Sequence, residues 1–134
     1  MTAPADTAAA STVELDHVVD THLAAYCDPD PVRRAERIAS VWADGGELLD
    51  PPLEGRGRDE IAALTDAVLA HYPGHRFERT TVVDEHHGWA RYGWTLRDPA
   101  GAAVLTGTDV VRLDAEGRLC QVVGFFGDLA PVEV

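Results

Sequence analysis

Everything after Gly74 reads as strand, and this constrains the fold more than any other feature of the chain. Four runs, at about 75–84, 89–97, 103–113 and 118–126, are rich in β-branched and aromatic residues. Turn chemistry separates them at His86-His87-Gly88, Asp98-Pro99-Ala100-Gly101 and Asp114-Ala115-Glu116-Gly117, so they are expected to follow one another as hairpins. Such a meander twists and leaves an apolar face that a second layer must cover.

The N-terminal half supplies that layer. Leu15, Val18, Val19, His22 and Tyr26 recur at helical spacing between acidic positions, which predicts a first amphipathic helix over 12–26. Asp30-Pro31 then offers an N-cap acceptor followed by proline at the first helical position. A second helix is expected to run to about Trp42 and bury Val32, Ala35, Ile38 and Trp42. Gly45-Gly46 ends that segment, and Glu47 to Asp50 reads as a short strand stopped by Pro51-Pro52. After a loop from Leu53 to Gly57, the acidic turn Asp59-Glu60 and the stripe Ile61, Leu64, Val68, Leu69 mark a third helix, closed by Pro73-Gly74.

At 134 residues the chain fits one domain, expected over 12–128 between a disordered tail at 1–11 and a C-terminal tail at 129–134. No apolar run approaches the ~20 residues of a membrane span, and the first residues lack the basic and apolar regions of a secretory signal, so a cytoplasmic protein is expected. Lysine is absent, and 23 acidic residues against 11 Arg leave a net charge of −12, which repels nucleic acid and anionic membranes. Cys27 and Cys120 form no paired motif, and His86-His87 in a turn has no third ligand nearby, so no metal is expected. Gly55-Arg56-Gly57 lacks the context of a phosphate loop, and no cofactor is expected.

Strand alternation places Asp109 with Leu105, Gly107, Val111 and Leu113 on one apolar face. Burial there would raise its pKa towards neutrality and suit it to proton donation; alternatively, backbone amides or a hydroxyl hold it as a structural carboxylate. Tyr92 and Trp94 share a face of the preceding strand, as aromatic pocket walls or as plain core. Asp50 stands before two prolines at a strand end, where a carboxylate can point into a pocket mouth or simply cap a turn. His22 and Tyr26, one helical turn apart, bring a polar tip to whatever the first helix covers.

The order of elements resembles the nuclear transport factor 2-like superfamily, in particular its SnoaL-like branch. Trp42-Ala43-Asp44, Leu49-Asp50-Pro51, Gly57-Arg58-Asp59-Glu60-Ile61, Gly107 to Leu113, Gly117-Arg118-Leu119 and Phe125-Phe126 carry the resemblance. It implies an α+β fold in which a cone-shaped, curved antiparallel sheet is closed by three N-terminal helices around a pocket, and a homodimer formed through the sheet. Ketosteroid isomerases of this superfamily place a general base at the position of Asp50 and a protonated Asp at that of Asp109. Their first-helix Tyr corresponds to Tyr26 or, in another alignment, to His22. SnoaL-like polyketide cyclases use an acid/base Asp in the strand of Asp109. An Asp found in epoxide-hydrolysing relatives is replaced here by Gly124.

The expected function is therefore a cofactor-independent isomerase or cyclase acting on a small hydrophobic carbonyl compound. Its catalytic candidates are Asp50, Asp109, Tyr26 and His22, with a pocket lined by Trp42, Tyr92, Trp94, Leu105, Gly107, Val111 and Phe125. A non-catalytic ligand-binding domain and a dimerising accessory protein are the competing expectations.

Overall fold

The computed structural model describes the backbone of residues 3–133 and the side chains of residues 14–133. Helix α1 spans Ala3–Ala25, so the helical backbone enters the segment read as a tail, whose Met1 and Thr2 lie outside the described residues. An alanine-rich stretch has the highest intrinsic helix propensity, consistent with this extension. Its core-facing side chains include Leu15, Val19, His22 and Leu23, and Tyr26 follows in the turn.

Helix α2, Pro31–Val41, starts as its sequence predicts: an Asp30 Oδ1 accepts from the backbone N–H groups of Val32 at 3.0 Å and Arg33 at 3.4 Å. Its buried stripe differs from expectation. Arg34, Ile38 and Val41 face inward, while Val32 is 66% exposed. Arg34 donates to the Asp28 carbonyl at 2.7 Å and pairs with Asp66, and these bonds satisfy the buried cation, while Ala35, expected inside, is exposed.

Strand β1 (Trp42–Leu49) begins where α2 ends and runs through Gly45-Gly46, with a register irregularity between Trp42 and Glu47 in place of a break. It turns at Asp50–Leu53 into the three-residue β2 (Glu54–Arg56), the stretch read as a loop. Helix α3 covers Arg58–His71. The first long strand run divides into β3 (Arg76–Arg79) and β4 (Asp84–His86), which pair with opposite ends of β5 (Trp89–Arg97). Strands β6 (Ala103–Leu113) and β7 (Leu119–Phe126) complete the chain of hairpins.

The architecture is α+β, but the expected cone of antiparallel strands is corrected. The sheet runs β2-β1-β7-β6-β5-β3, with β4 also on β5, and its two edges do not pair, so it stays open. It is also mixed, because β1 and β7 lie parallel. Hairpin signals report only sequence neighbours, whereas the β1–β7 contact joins residues as distant as Glu47 and Gln121, 74 positions apart and hydrogen-bonded at 3.0 Å. The core sits where the helices meet one face of this sheet, around Val19, Ile38, Trp42, Leu48, Ile61, Leu96, Val111 and Val122. No helix among the described residues is long and apolar enough to cross a membrane.

Replacing the α2 cap by alanine, Asp30→Ala, should cost about 1 kcal/mol through the lost N-terminal hydrogen bonds, read as a lower urea midpoint at unchanged slope.

Candidate functional site

Sheet register brings the site together. Asp109 on β6 lies opposite Tyr92 of β5 on one side and Gly124 of β7 on the other. On the far side of β7, Leu49 pairs with Val123, so the next residue, Asp50, arrives beside Gly124. A Cβ built on Gly124 would lie 3.0 Å from the Asp50 Cβ and 3.1 Å from Asp109 Oδ1. The missing side chain therefore leaves open the space between Asp50 and Asp109, which line one cavity.

Asp109 is held on both oxygens. The Tyr92 hydroxyl donates to Oδ2 at 2.7 Å and the Trp94 indole N–H donates to Oδ1 at 2.9 Å. A second glycine permits the latter bond, because a Cβ on Gly107 would sit 2.3 Å from Cζ2 of the Trp94 ring. Burial pushes the Asp109 pKa up to about 6; the Tyr92 and Trp94 hydrogen bonds oppose the rise, and the charge of Asp50 adds to it. Asp50 is half-buried in the turn, where it exchanges backbone hydrogen bonds with Leu53 and its Oδ1 accepts from the Leu53 N–H at 2.9 Å. Burial raises its pKa too, against that hydrogen bond.

Both acids open on a cavity of about 380 Å³, within the range usual for small-molecule sites. Helix α1 contributes Leu23 and the following Tyr26, the β1–β2 turn Pro52 and Leu53, and the sheet Phe77, Trp94, Leu105 and Phe126. The end of α3 supplies Ala67 with His71, and Val68 with the C-cap residue Tyr72, each pair four positions apart. Tyr26 is 7% exposed and makes no side-chain hydrogen bond among the described residues, and its pKa is raised by burial and by the charges of Asp109 and Asp50.

Of the residues singled out from sequence, Tyr26, Asp50, Trp94, Leu105 and Asp109 line this cavity. The others lie elsewhere. Trp42 and Val111 are core; Tyr92 is buried behind Asp109 as its hydrogen-bond donor; Gly107 is covered by the Trp94 ring. Phe125 points to the opposite face, 58% exposed, and Phe126 takes the lining position, because residues 124 and 126 share a face and only their parity with Asp109 reveals it. His22 is 1% exposed, packed edge-on against Tyr26 and Trp42, with both ring nitrogens unpartnered among the described residues. Sequence reasoning missed the α3 residues and Phe77, although the i, i+4 spacing on α3 was available as a signal. His86 and His87 sit exposed at the β4–β5 turn, and no cluster able to hold a metal occurs among the described residues.

The chain matches the SnoaL-like domain family over residues 19–122, most of its length. It belongs to the SnoaL-like family. Among solved structures it is similar to a candidate isomerase of that family from Agrobacterium tumefaciens strain C58, at 35% identity and a TM-score of 0.80, over 89% of this chain and 99% of that one. It shares the fold of an NTF2-like protein of unknown function from Exiguobacterium sp. 255-15, at 18% identity and a TM-score of 0.67, over 84% of this chain and 99% of that one. A candidate polyketide cyclase from Sinorhizobium meliloti likewise shares the fold, at 16% identity and a TM-score of 0.64, over 84% of this chain and 97% of that one. No curated protein matches at a significant level.

Two buried groups give this SnoaL-like protein opposing pH responses. Burial lowers the His22 pKa from 6.5 to about 4, so its contribution to stability is complete above 6.5 and is lost as pH falls through 4. Asp109, raised from 3.8 to about 6, contributes stability that is complete below 3.8 and is lost as pH rises through 6. His22→Leu should therefore gain on the wild type by about 3 kcal/mol between neutral pH and about pH 4, measured by urea unfolding at several pH values. An unchanged difference across that range would mean His22 is charged in the fold.

Proposed function

We propose that this protein is a cofactor-independent enzyme of isomerase or cyclase type that moves a proton next to a carbonyl of a hydrophobic substrate. The observation that carries the reading is the pair of carboxylates meeting across Gly124 in an apolar cavity, with no arginine bonded to either among the described residues. The family membership and the names of the Agrobacterium and Sinorhizobium proteins point the same way.

Asp50 is the base. It is the less buried acid, and its Oδ2 makes no hydrogen bond among the described residues, so a lone pair is available to a substrate C–H. Asp109, buried more deeply, takes up the proton that the two acids cannot both release at low cost, and its O–H hydrogen-bonds the oxygen of the developing enolate. Tyr26 contributes a second donor from the opposite wall. Return of the proton from Asp50 to another carbon completes an isomerisation; attack of the enolate carbon on a second carbonyl turns that carbonyl oxygen into an alkoxide, and transfer of the proton from Asp50 to it completes a cyclisation and restores the base. The apolar walls exclude water and strengthen these hydrogen bonds.

The outer face of the sheet carries the second part of the reading, a homodimer. Phe125 and Val104 stand 58% and 47% exposed on that face, alongside Thr106 and Thr108, and an uncovered aromatic and aliphatic patch on an open sheet suits a second copy.

Solvent-deuterium incorporation into cyclic ketones and polyketide mimics tests the chemistry. Asp50→Asn should slow exchange by about 10²–10⁴-fold; equal rates remove the proposed base. In the wild type, kcat/KM should fall at low pH as Asp50 is protonated and fall again above about 6 as Asp109 loses its proton. Light scattering tests the assembly: wild type at twice the protomer mass and Phe125→Glu at one protomer mass are expected, and a monomeric wild type would refute the dimer.

A further inference from the structure

The chain treats its buried acids in two ways. Asp28, 6% exposed in the α1–α2 turn, is bonded by Arg33 at 2.6 and 2.9 Å and by Arg37 at 3.0 Å. The Arg33 guanidinium holds its carboxyl well below the usual carboxylate range. Asp50 and Asp109 have no such partner among the described residues: their hydrogen bonds come from the Leu53 backbone, Tyr92 and Trp94, all neutral. No arginine lines the cavity they share.

A second, independent feature points to a guest. Tyr26 is more than nine-tenths buried, lines the cavity and makes no side-chain hydrogen bond among the described residues, so its hydroxyl oxygen is a free acceptor. Its ring belongs to a continuous aromatic wall: Tyr26 to Phe77 at 5.1 Å, Phe77 to Trp94 at 5.3 Å, and Trp94 to Phe126 at 5.7 Å between centroids. Aromatic rings and uncompensated carboxylates both attract a cation, and the net charge of −12 enriches cations around the protein.

We propose that the cavity binds hydrophobic amines in their protonated form, the ammonium group lying between Asp50 and Asp109 and the hydrocarbon against the aromatic wall. This rests on the cavity and not on the proton-transfer reading. The two even respond oppositely to pH, since an ammonium needs the acids ionised whereas proton transfer needs Asp109 protonated. The other titratable groups lining the cavity are Tyr26 after α1 and His71 and Tyr72 at the end of α3, and Tyr92 of β5 bonds Asp109 from behind. Anions are excluded by the same charges.

Calorimetric titration with three hydrocarbon-matched probes, adamantylmethylamine, adamantylmethanol and adamantanecarboxylate, decides it. At about pH 8 the amine should bind about tenfold tighter than the alcohol or better, and the carboxylate should not bind. The amine's advantage should shrink at about pH 5, where protonation of Asp109 removes its charge, and should shrink in both Asp50→Asn and Asp109→Asn. Asn at position 50 keeps an acceptor oxygen for the Leu53 N–H, and circular dichroism reports whether either variant is folded. No amine binding, an alcohol that binds as tightly, or an advantage untouched in both folded variants overturns the proposal. Loss of amine selectivity with Asp50-dependent exchange intact removes this inference alone; selectivity without exchange removes the proton-transfer reading alone.

Discussion

The Asp109 carboxylate, buried between the Tyr92 hydroxyl and the Trp94 indole, is the interaction around which the interior is arranged. A buried acid with no cation is costly unless its lone pairs are satisfied, and both donors come from the neighbouring strand, one directly opposite and one on the diagonal. The diagonal bond needs Gly107, because the Trp94 ring occupies the volume a side chain would fill. On the other side Gly124 leaves a similar vacancy that opens Asp109 towards Asp50. Two glycines on adjacent strands thus turn a β-sheet face into a site.

The helices complete the cavity and keep their own electrostatics apart from it. Asp28, Arg33, Arg34, Arg37 and Asp66 form a network on the α1–α2–α3 side in which the buried carboxylate has guanidinium partners. Pairing satisfies charge there and holds the helices in register with one another. In the cavity the acids have no cationic partner among the described residues; burial raises the pKa values of Asp50 and Asp109, which suits a proton carrier, while above those values the uncompensated charge suits a cation receptor. His22, buried and unpartnered beside Tyr26, is a polar group the core accommodates by keeping it neutral.

Local chemistry was legible in the residues. The N-cap of α2, the hairpin turns after Asp98 and Asp114, and the spans of β5 and β6 follow from capping, turn and alternation rules that act within a few positions. The convergence of Asp50 and Asp109 could be anticipated only from the resemblance to a family, since nothing local links a turn after β1 to the middle of β6. Phe126 in place of Phe125, and Arg34 in place of Val32, show how one position of parity or about half a helical turn redirects a side chain that composition leaves undecided.

By itself, the sequence determined the three helices and the later long strands, their order and the strongly acidic surface, because propensity, capping and charge are properties of residues and their near neighbours. Tertiary structure alone decided that β7 inserts between β1 and β6, parallel to the first and antiparallel to the second, and that the sheet remains open. That insertion sets Gly124 between two carboxylates fifty-nine positions apart in the chain (Asp50 and Asp109). The physical reason is that strand pairing is selected by the burial of whole faces, a sum over the molecule that no local window contains.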